Sequence, residues 1–587
     1  MANGTGRYGS LTGERADADD GSLSLSGTTT AGEVTPLLQS DAGSTATILR
    51  DETIRDPEAV SDDDSEDGVP AIGRGRAFAL IMSMWALIFL QASNMSGMTM
   101  TQSAVAADLD AYEGAMWFTS SYLIATSSLA PIVGKLATIF SPASLVAASA
   151  LFFAVGAVAT SQATTFGTFI AARCLVGAGG AGIMTLALVL IIQYVSKKRS
   201  GLFIGLVNAG FTVGLSTGAI VYGALLEAVG WRALFYLQTP LALLGGIGVW
   251  FSLPRVEKGK NAIVDERTTW QKLAGIDYAG AATLTVAIVL FLYGLSGAIQ
   301  PLYIAISVAV LAVFLAIEYR FAADPIIPIS VLRSRGVLLS CVAQLGFLAS
   351  RWTVLFYAPI FVLAVRGLPP AVAGAVLIPT NLGFGSGGLL VGWLHVRRGG
   401  SFWLPCLVSL ALFGVTLLAT GLVSNSGSQP WLYVLVVFAN GLCTGAALNY
   451  TLAHLLHHAH PRTRFVAASL FNTFRGFAGS FGTTIGGGTF GRALRARLAE
   501  GFSRLDRGLG SGREKLIEKL IGSPALVFEG GLSDAERAVA VQGYEAALKT
   551  LYTLAAALTI FVIVVQAGTG WEAPVKAKED DEVPSQA

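Results

Sequence analysis

Residues Val337–Leu363 read VLLSCVAQLGFLASRWTVLFYAPIFVL, an apolar run with one charged residue, Arg351, near its centre. A bilayer core about 30 Å thick takes roughly 20 apolar residues to cross as a helix, and this run is long enough. Arg351 stands beside Trp352 and two helical turns from Gln344. An ionisable group at mid-membrane costs at least about 2.5 kcal/mol, so it is expected to face the interior of a helix bundle and to be functional.

The same pattern recurs along the chain. Runs long enough to span occur at 77–99, 115–138, 143–161, 165–195, 201–227, 233–253, 273–298, 302–320, 337–364, 369–395, 401–422, 430–455, 465–490 and 549–569. The fold class expected is an all-α membrane protein with 14 transmembrane helices. Composition agrees: 53% of the 587 residues are hydrophobic and 13% charged, against about 25% charged in an ordinary soluble domain. One aqueous core cannot hide that much apolar surface, which excludes a soluble enzyme. A formal net charge of +1 gives no reason to expect nucleic-acid binding.

An even number of spans puts both termini on one side. Arg74 and Arg76 precede span 1; Lys197, Lys198 and Arg199 follow span 4; Arg333 and Arg335 follow span 8; Arg397 and Arg398 follow span 10. The alternate short loops are nearly free of Lys and Arg, so both termini are expected in the cytoplasm. The long loop 491–548 then falls on the other side; its stretch Arg513–Ile521 reads as an amphipathic helix on the membrane surface or capping the outer mouth. Residues 1–72 are polar, rich in Gly, Ser, Thr and Asp, and are expected to form a disordered cytoplasmic tail. The expected organisation is this tail, a six-helix bundle over 73–254, inserted helices 7 and 8 over 255–336, a second six-helix bundle over 337–569, and a cytoplasmic tail over 570–587.

Cys174, Cys341, Cys406 and Cys443 each lie in an apolar run and read as buried free thiols; no metal site is expected of them. His454, His457 and His458 share a helix face at the end of span 12, a pattern open to three readings: a polar helix cap, a pH sensor or a metal site. Gly177, Gly179 and Gly182 fit G-x-G-x-x-G, but mid-membrane and with no preceding strand they do not make a dinucleotide site, and no cofactor is expected. Glycines crowd spans 4, 5, 10 and 13, where small residues let helix backbones approach closely.

Between residues 115 and 240 a series of motifs follows in order: Trp117, Tyr122, Pro131 and Gly134-Lys135-Leu136; Phe169 through Arg173 with Gly177, Gly179 and Gly180; Gly214, Gly218 and Gly223; then Trp231-Arg232 and Phe235 through Pro240. Asp277-Tyr278, Arg366-Gly367 and Phe471-Asn472 with Arg475 continue it. This series resembles the fungal 14-span branch of the major facilitator superfamily, of the drug:proton antiporter type. The resemblance implies two six-helix bundles with two inserted helices, and gating or motif roles for Gly134, Lys135, Arg173, Gly214, Gly218, Gly223 and Arg475. The chain also departs from the pattern. The span-1 carboxylate aligns with Asn94, the 2–3 loop Asp and Gly-Arg-Lys are Thr138 and Ser141-Pro142-Ala143, the span-5 proline is Ala219, the residue before Gly223 is Tyr222, and the span-4 Gln is Val176. Glu33 through Leu37-Leu38 is similar to an acidic dileucine signal found in fungal vacuolar amino-acid transporters of this branch, and implies recognition by sorting adaptors.

The polar residues inside the spans are the candidate substrate contacts: Arg351, Gln91, Asn94, Asn208, Gln344, Tyr357, Asn381 and Asn449. They are spread over both halves, as a midplane site between repeats requires. The function expected is a secondary active transporter, not an enzyme, carrying a small organic solute, amino-acid-like, with or without a proton, by alternating access in the vacuolar membrane. Two alternatives stand beside it: a plasma-membrane exporter of drugs or secreted metabolites, and a non-transporting nutrient sensor. The bilayer and the solute are the partners.

Overall fold

The computed structural model describes residues 73–194, 197–253, 269–320, 334–394, 401–459, 464–506 and 513–571. The dileucine signal Glu33, Leu37 and Leu38 lies outside the described residues. Every expected span falls on a helix: α1 Arg74–Asp108, α2 Trp117–Ile139, α3 Pro142–Ser161, α4 Phe166–Tyr194, α5 Lys197–Tyr236, α6 Gln238–Ser252, α7 Tyr278–Ser296, α8 Pro301–Arg320, α9 Arg335–Ala364, α10 Leu377–Leu394, α11 Trp403–Val423, α12 Pro430–His458, α13 Arg464–Leu505 and α14 Asp534–Ala567. A short helical turn, Pro370–Ala375, leads into α10.

Eleven of these helices are long and apolar enough to cross a membrane. The other three are α2, rich in Ser and Thr, α6, only 15 residues long, and α13, which carries several arginines. Local chemistry sets several of the helix ends. Ser141 accepts from the Ser144 amide ahead of Pro142 at the start of α3, Asp277 accepts from the Gly280 amide at 2.7 Å, and Ser533 with Glu536 forms a capping box on α14. Gly230 breaks α5 at φ 75°, a left-handed backbone that glycine adopts without steric cost.

The helices pack in two six-helix groups with the same internal plan. In the first, α1 packs on α5 and α6, α2 on α4, and α3 on α4 and α6; in the second, α9 packs on α13 and α14, α10 on α12, and α11 on α12 and α14. Adding eight to each helix number of the first group gives the second. The helices α7 and α8 pair with each other, and α7 also touches α2 and α13. The two groups meet along α2 with α13, and along α5 with the turn 370–375.

Close backbone approach explains much of the glycine. A Cβ on Gly214 would stand 2.6 Å from the Phe89 carbonyl oxygen and one on Gly218 2.4 Å from Ser93 Cα, so α5 can lie against α1 only with glycine at both positions.

We call the end where α1 begins the near end, and the opposite end the far end. The far end carries more structure than a loop of 491–548 suggests. The helix α13 runs 42 residues, about 63 Å at 1.5 Å per residue, twice the thickness of a bilayer core. Leu494, Leu498 and Phe502 on its extension are buried with Ala540, Tyr544 and Ala547 on α14. The amphipathic stretch forms the helix Glu514–Gly522 and buries Ile517 and Leu520. It caps the far end: a Cβ on Gly522 would be 2.5 Å from Tyr112 Cα, in the link from α1 to α2. Arg513 holds its start through Asp506, at 2.6 and 2.9 Å, and through Glu536.

Cys341 and Cys406 are buried, but Cys174 is exposed on α4 and Cys443 half-buried. An apolar run does not separate a side chain facing the protein from one facing lipid, and the reading of all four thiols as buried is corrected accordingly.

Candidate functional site

The two groups close on each other at the far end. A Cβ on Gly223 of α5 would be 2.5 Å from the Pro370 carbonyl carbon, and one on Gly374 would be 2.5 Å from that of Ala219. Arg495 on α13 pairs with Glu113 at 2.9 Å. Nearer the middle, Ser120 of α2 lies 3.1 Å from Thr483 Oγ1 and accepts from Thr484 at 2.8 Å. Ser127 donates to the Gly476 carbonyl at 2.7 Å. Asn381 of α10 donates to Ser216 of α5 at 2.9 Å.

Inside this contact is a small void of about 20 Å³, walled by both groups. From the first come Met95, Ser96 and Thr99 of α1, Thr119 of α2 and Leu215 of α5. From the second come Trp352, Leu355 and Phe356 of α9 and Leu377 of α10. The wall is apolar and aromatic, its polar groups being the hydroxyls of Ser96, Thr99 and Thr119 and the indole N–H of Trp352. The void holds about one water and nothing larger, and its surface is mainly apolar.

Two buried guanidinium groups flank it. Arg173 is fully buried. Its Nε donates to the Phe118 carbonyl at 3.0 Å and its Nη1 to Asn94 Oδ1 at 2.7 Å. Those partners immediately precede the void residues Thr119 and Met95. Arg351, also buried, donates to Thr380 Oγ1, to Asn440 Oδ1 at 3.1 Å and to the Thr380 carbonyl at 3.4 Å. It lies one helical turn from Leu355, as Thr380 does from Leu377. Arg351, Thr380 and Asn381 thus lie about one turn to the near side of the void residues Leu355 and Leu377.

Two of the departures from the family pattern, Asn94 and Tyr222, are joined through Gln238. Asn94 donates to Gln238 Oε1 at 2.8 Å, and Gln238 Nε2 in turn donates to the Tyr222 hydroxyl. Arg173, Asn94, Gln238 and Tyr222 therefore form one chain across α4, α1, α6 and α5. Replacing a carboxylate by Asn94 leaves Arg173 on a neutral partner, and Gln238 and Tyr222 carry the network onward. Gln238 and Tyr222 were not among the candidate site residues; Tyr222 was marked only as a departure from the motif, and Gln238 carried no signal of its own.

The remaining candidates scatter. Gln91 is buried near Tyr122 and Gly180. Gln344 accepts from Thr451 at 3.4 Å. Tyr357 packs on Phe490 with ring centroids 4.7 Å apart. Asn449 donates back to the Gly445 carbonyl of its own helix at 3.0 Å, and Asn208 is exposed on α5. Gly134 and Lys135 lie in the near-end half of α2, with Gly134 3.8 Å from Thr185 Cγ2 by its would-be Cβ, and Arg475 is half-buried on α13. His454 Nε2 lies 2.7 Å from Thr569 Oγ1 and 3.0 Å from His458 Nε2, tying the end of α12 to the residues just after α14.

Two bundles of six helices, repeated in plan and packed face to face, are the architecture of a membrane transporter. The model of the Major Facilitator Superfamily matches residues 74–483, and the chain belongs to that family. It is 26% identical over 440 residues to Efflux pump dotC of Dothistroma septosporum, covering 72% of this chain and 73% of that protein. It is 26% identical over 322 residues to Vacuolar basic amino acid transporter 1 of Saccharomyces cerevisiae, covering 54% of this chain and 56% of that one. Among solved structures, a bacterial homologue of the human lysosomal transporter Spinster superposes with a TM-score of 0.56 at 14% identity, covering 86% of this chain and all of the other.

Proposed function

We propose that this transporter moves an organic solute with a large apolar or aromatic part, by rocking a body of residues 73–254 against one of residues 337–569. The inserted helices α7 and α8 ride with them, α7 against α2 and α13. One observation carries the reading: the void between the bodies is walled by Met95, Leu215, Trp352, Leu355, Phe356 and Leu377. A basic amino acid brings two cationic groups that need a carboxylate or several acceptors, and the wall offers no carboxylate, its polar groups being the hydroxyls of Ser96, Thr99 and Thr119 and the Trp352 indole N–H. The expected exporter of drugs or secreted metabolites fits this wall better than the amino-acid carrier. The likeness to an efflux pump supports the same choice.

The vacuolar amino-acid reading keeps one support of its own, the likeness to a vacuolar basic amino acid transporter. Flux into liposomes separates the two. The purified full-length chain is expected to accumulate aromatic hydrocarbon-bearing solutes down an imposed gradient and to leave lysine and arginine untouched. Flux of basic amino acids alone overturns the aromatic reading, and flux of neither overturns both.

A further inference from the structure

The void is apolar, yet a buried cation stands beside it in each body. Arg173 is one residue removed from the wall through Asn94 and Phe118, and Arg351 is one turn removed through Leu355 and Leu377. Every acceptor given for these two guanidiniums is neutral: two amide oxygens, one hydroxyl and two backbone carbonyls. Arg173 Nη2 is buried without a hydrogen-bond partner. Among the described residues, the one buried carboxylate is Glu318, on α8 of the inserted pair. Neutral acceptors satisfy N–H groups but do not cancel charge, and a buried charge without a counter-charge is costly. The field at the void is therefore positive from both sides, and in a water-poor site it acts over the length of a small solute.

We propose that the solute is an organic anion: an apolar or aromatic body carrying one carboxylate, with Arg351 as the residue that selects for the charge. The inference rests on the transport reading above and adds the charge class. As the bodies part, the apolar portion lies against Trp352, Leu355 and Phe356. The carboxylate reaches the adjoining turn, where Arg351 exchanges a neutral acceptor for a charged one. A planar guanidinium meets a carboxylate with two parallel hydrogen bonds, so the orientation of the solute is fixed as well as its charge. A cationic solute meets two like charges with no carboxylate to offset them.

The test uses three probes with one hydrocarbon frame: 2-naphthoate, 2-naphthylmethanol and 2-naphthylmethylammonium. Binding to the full-length protein in nanodiscs is measured by calorimetric titration. We expect naphthoate to bind at least about tenfold tighter than the alcohol, and the ammonium weakest. Arg351→Gln is expected to weaken naphthoate about tenfold while holding the alcohol within about twofold, and Arg351→Lys to keep the preference. Asn440→Asp, which puts a counter-charge beside an intact Arg351, is expected to erase the preference; it answers the question if Arg351→Gln fails to fold. Ammonium binding as tight as naphthoate, a preference that survives both Arg351→Gln and Asn440→Asp, or no saturable naphthoate binding overturns the proposal. Anion-selective binding without flux removes the transport reading and leaves the charge selectivity standing, whereas flux of the alcohol without anion preference does the reverse.

Discussion

Arg173 on the fourth helix donates to Asn94 on the first at 2.7 Å, and Arg351 on the ninth donates to Asn440 on the twelfth at 3.1 Å. Under the eight-helix offset between the bundles, helices 1 and 4 correspond to 9 and 12. Each bundle is thus stitched at the same place by an arginine and an asparagine, with the two residue types exchanged. The exchange sets one guanidinium on each side of the junction, and in both the asparagine orients the cation without neutralising it.

Asn94→Leu removes that acceptor and strands the Arg173 charge in the first bundle. The expected cost is about 3 kcal/mol, seen as a lowered thermal midpoint in detergent. Asn94→Asp, which turns the contact into an ion pair, is expected to melt at or above the parent. A melting point for Asn94→Leu equal to the parent's would show that the bond contributes nothing.

Gly223 touches Pro370 by backbone alone, and backbone cannot move aside for a side chain. Gly223→Val is expected to hold the far end apart. With the four cysteines replaced by alanine and Ser96→Cys introduced in the void, a membrane-impermeant maleimide applied from the far side should react at least about fivefold faster in the valine variant. Equal rates would place the barrier elsewhere.

Asn381, one turn to the near side of the void residue Leu377, bonds Ser216 across the bundles. Loss of this bond in Asn381→Ala is worth about 1 kcal/mol, or roughly fivefold in the open-to-closed ratio. Labelling of Ser96→Cys from the near side should rise by that factor and from the far side should not. The opposite asymmetry would reverse the assignment of the bond to the near side.

Arg513 joins Asp506 and Glu536 with its side chain about a quarter exposed. After allowance for solvent screening, Arg513→Ala is expected to cost about 1 kcal/mol, confined to the cap. Trypsin should cut within 491–548 several-fold faster, while the melting point of the membrane bundle stays within about 2 °C. A bundle that melts much earlier would mean that the cap supports the membrane core.

Span positions were legible because a bilayer-length apolar run has few other uses, and the glycine clusters marked places where helices touch by backbone. Direction was not legible. Trp352, Leu355 and Phe356, which wall the void, are chemically no different from residues facing lipid, and Cys174 points out of the same helix from which Arg173 points in. Asn381 bonds Ser216 across the bundles, whereas Asn449 spends its amide on its own helix and Asn208 is exposed. The lengths of α13 and α14 were also underestimated. Hydropathy registers where a helix leaves the apolar layer, not where its hydrogen bonding stops, and the buried contacts of Leu494, Leu498 and Phe502 with α14 lie past that point.

The paired extensions of α13 and α14 give a 61.1 kDa membrane protein a rigid mass outside the detergent belt. Such a projection is a landmark for aligning single-particle images and a target for raising antibody fragments. Since Gly522 in the adjoining cap seats on Tyr112 of the opposite bundle, a fragment that grips the cap in this arrangement would freeze the molecule in one posture without entering the solute's path.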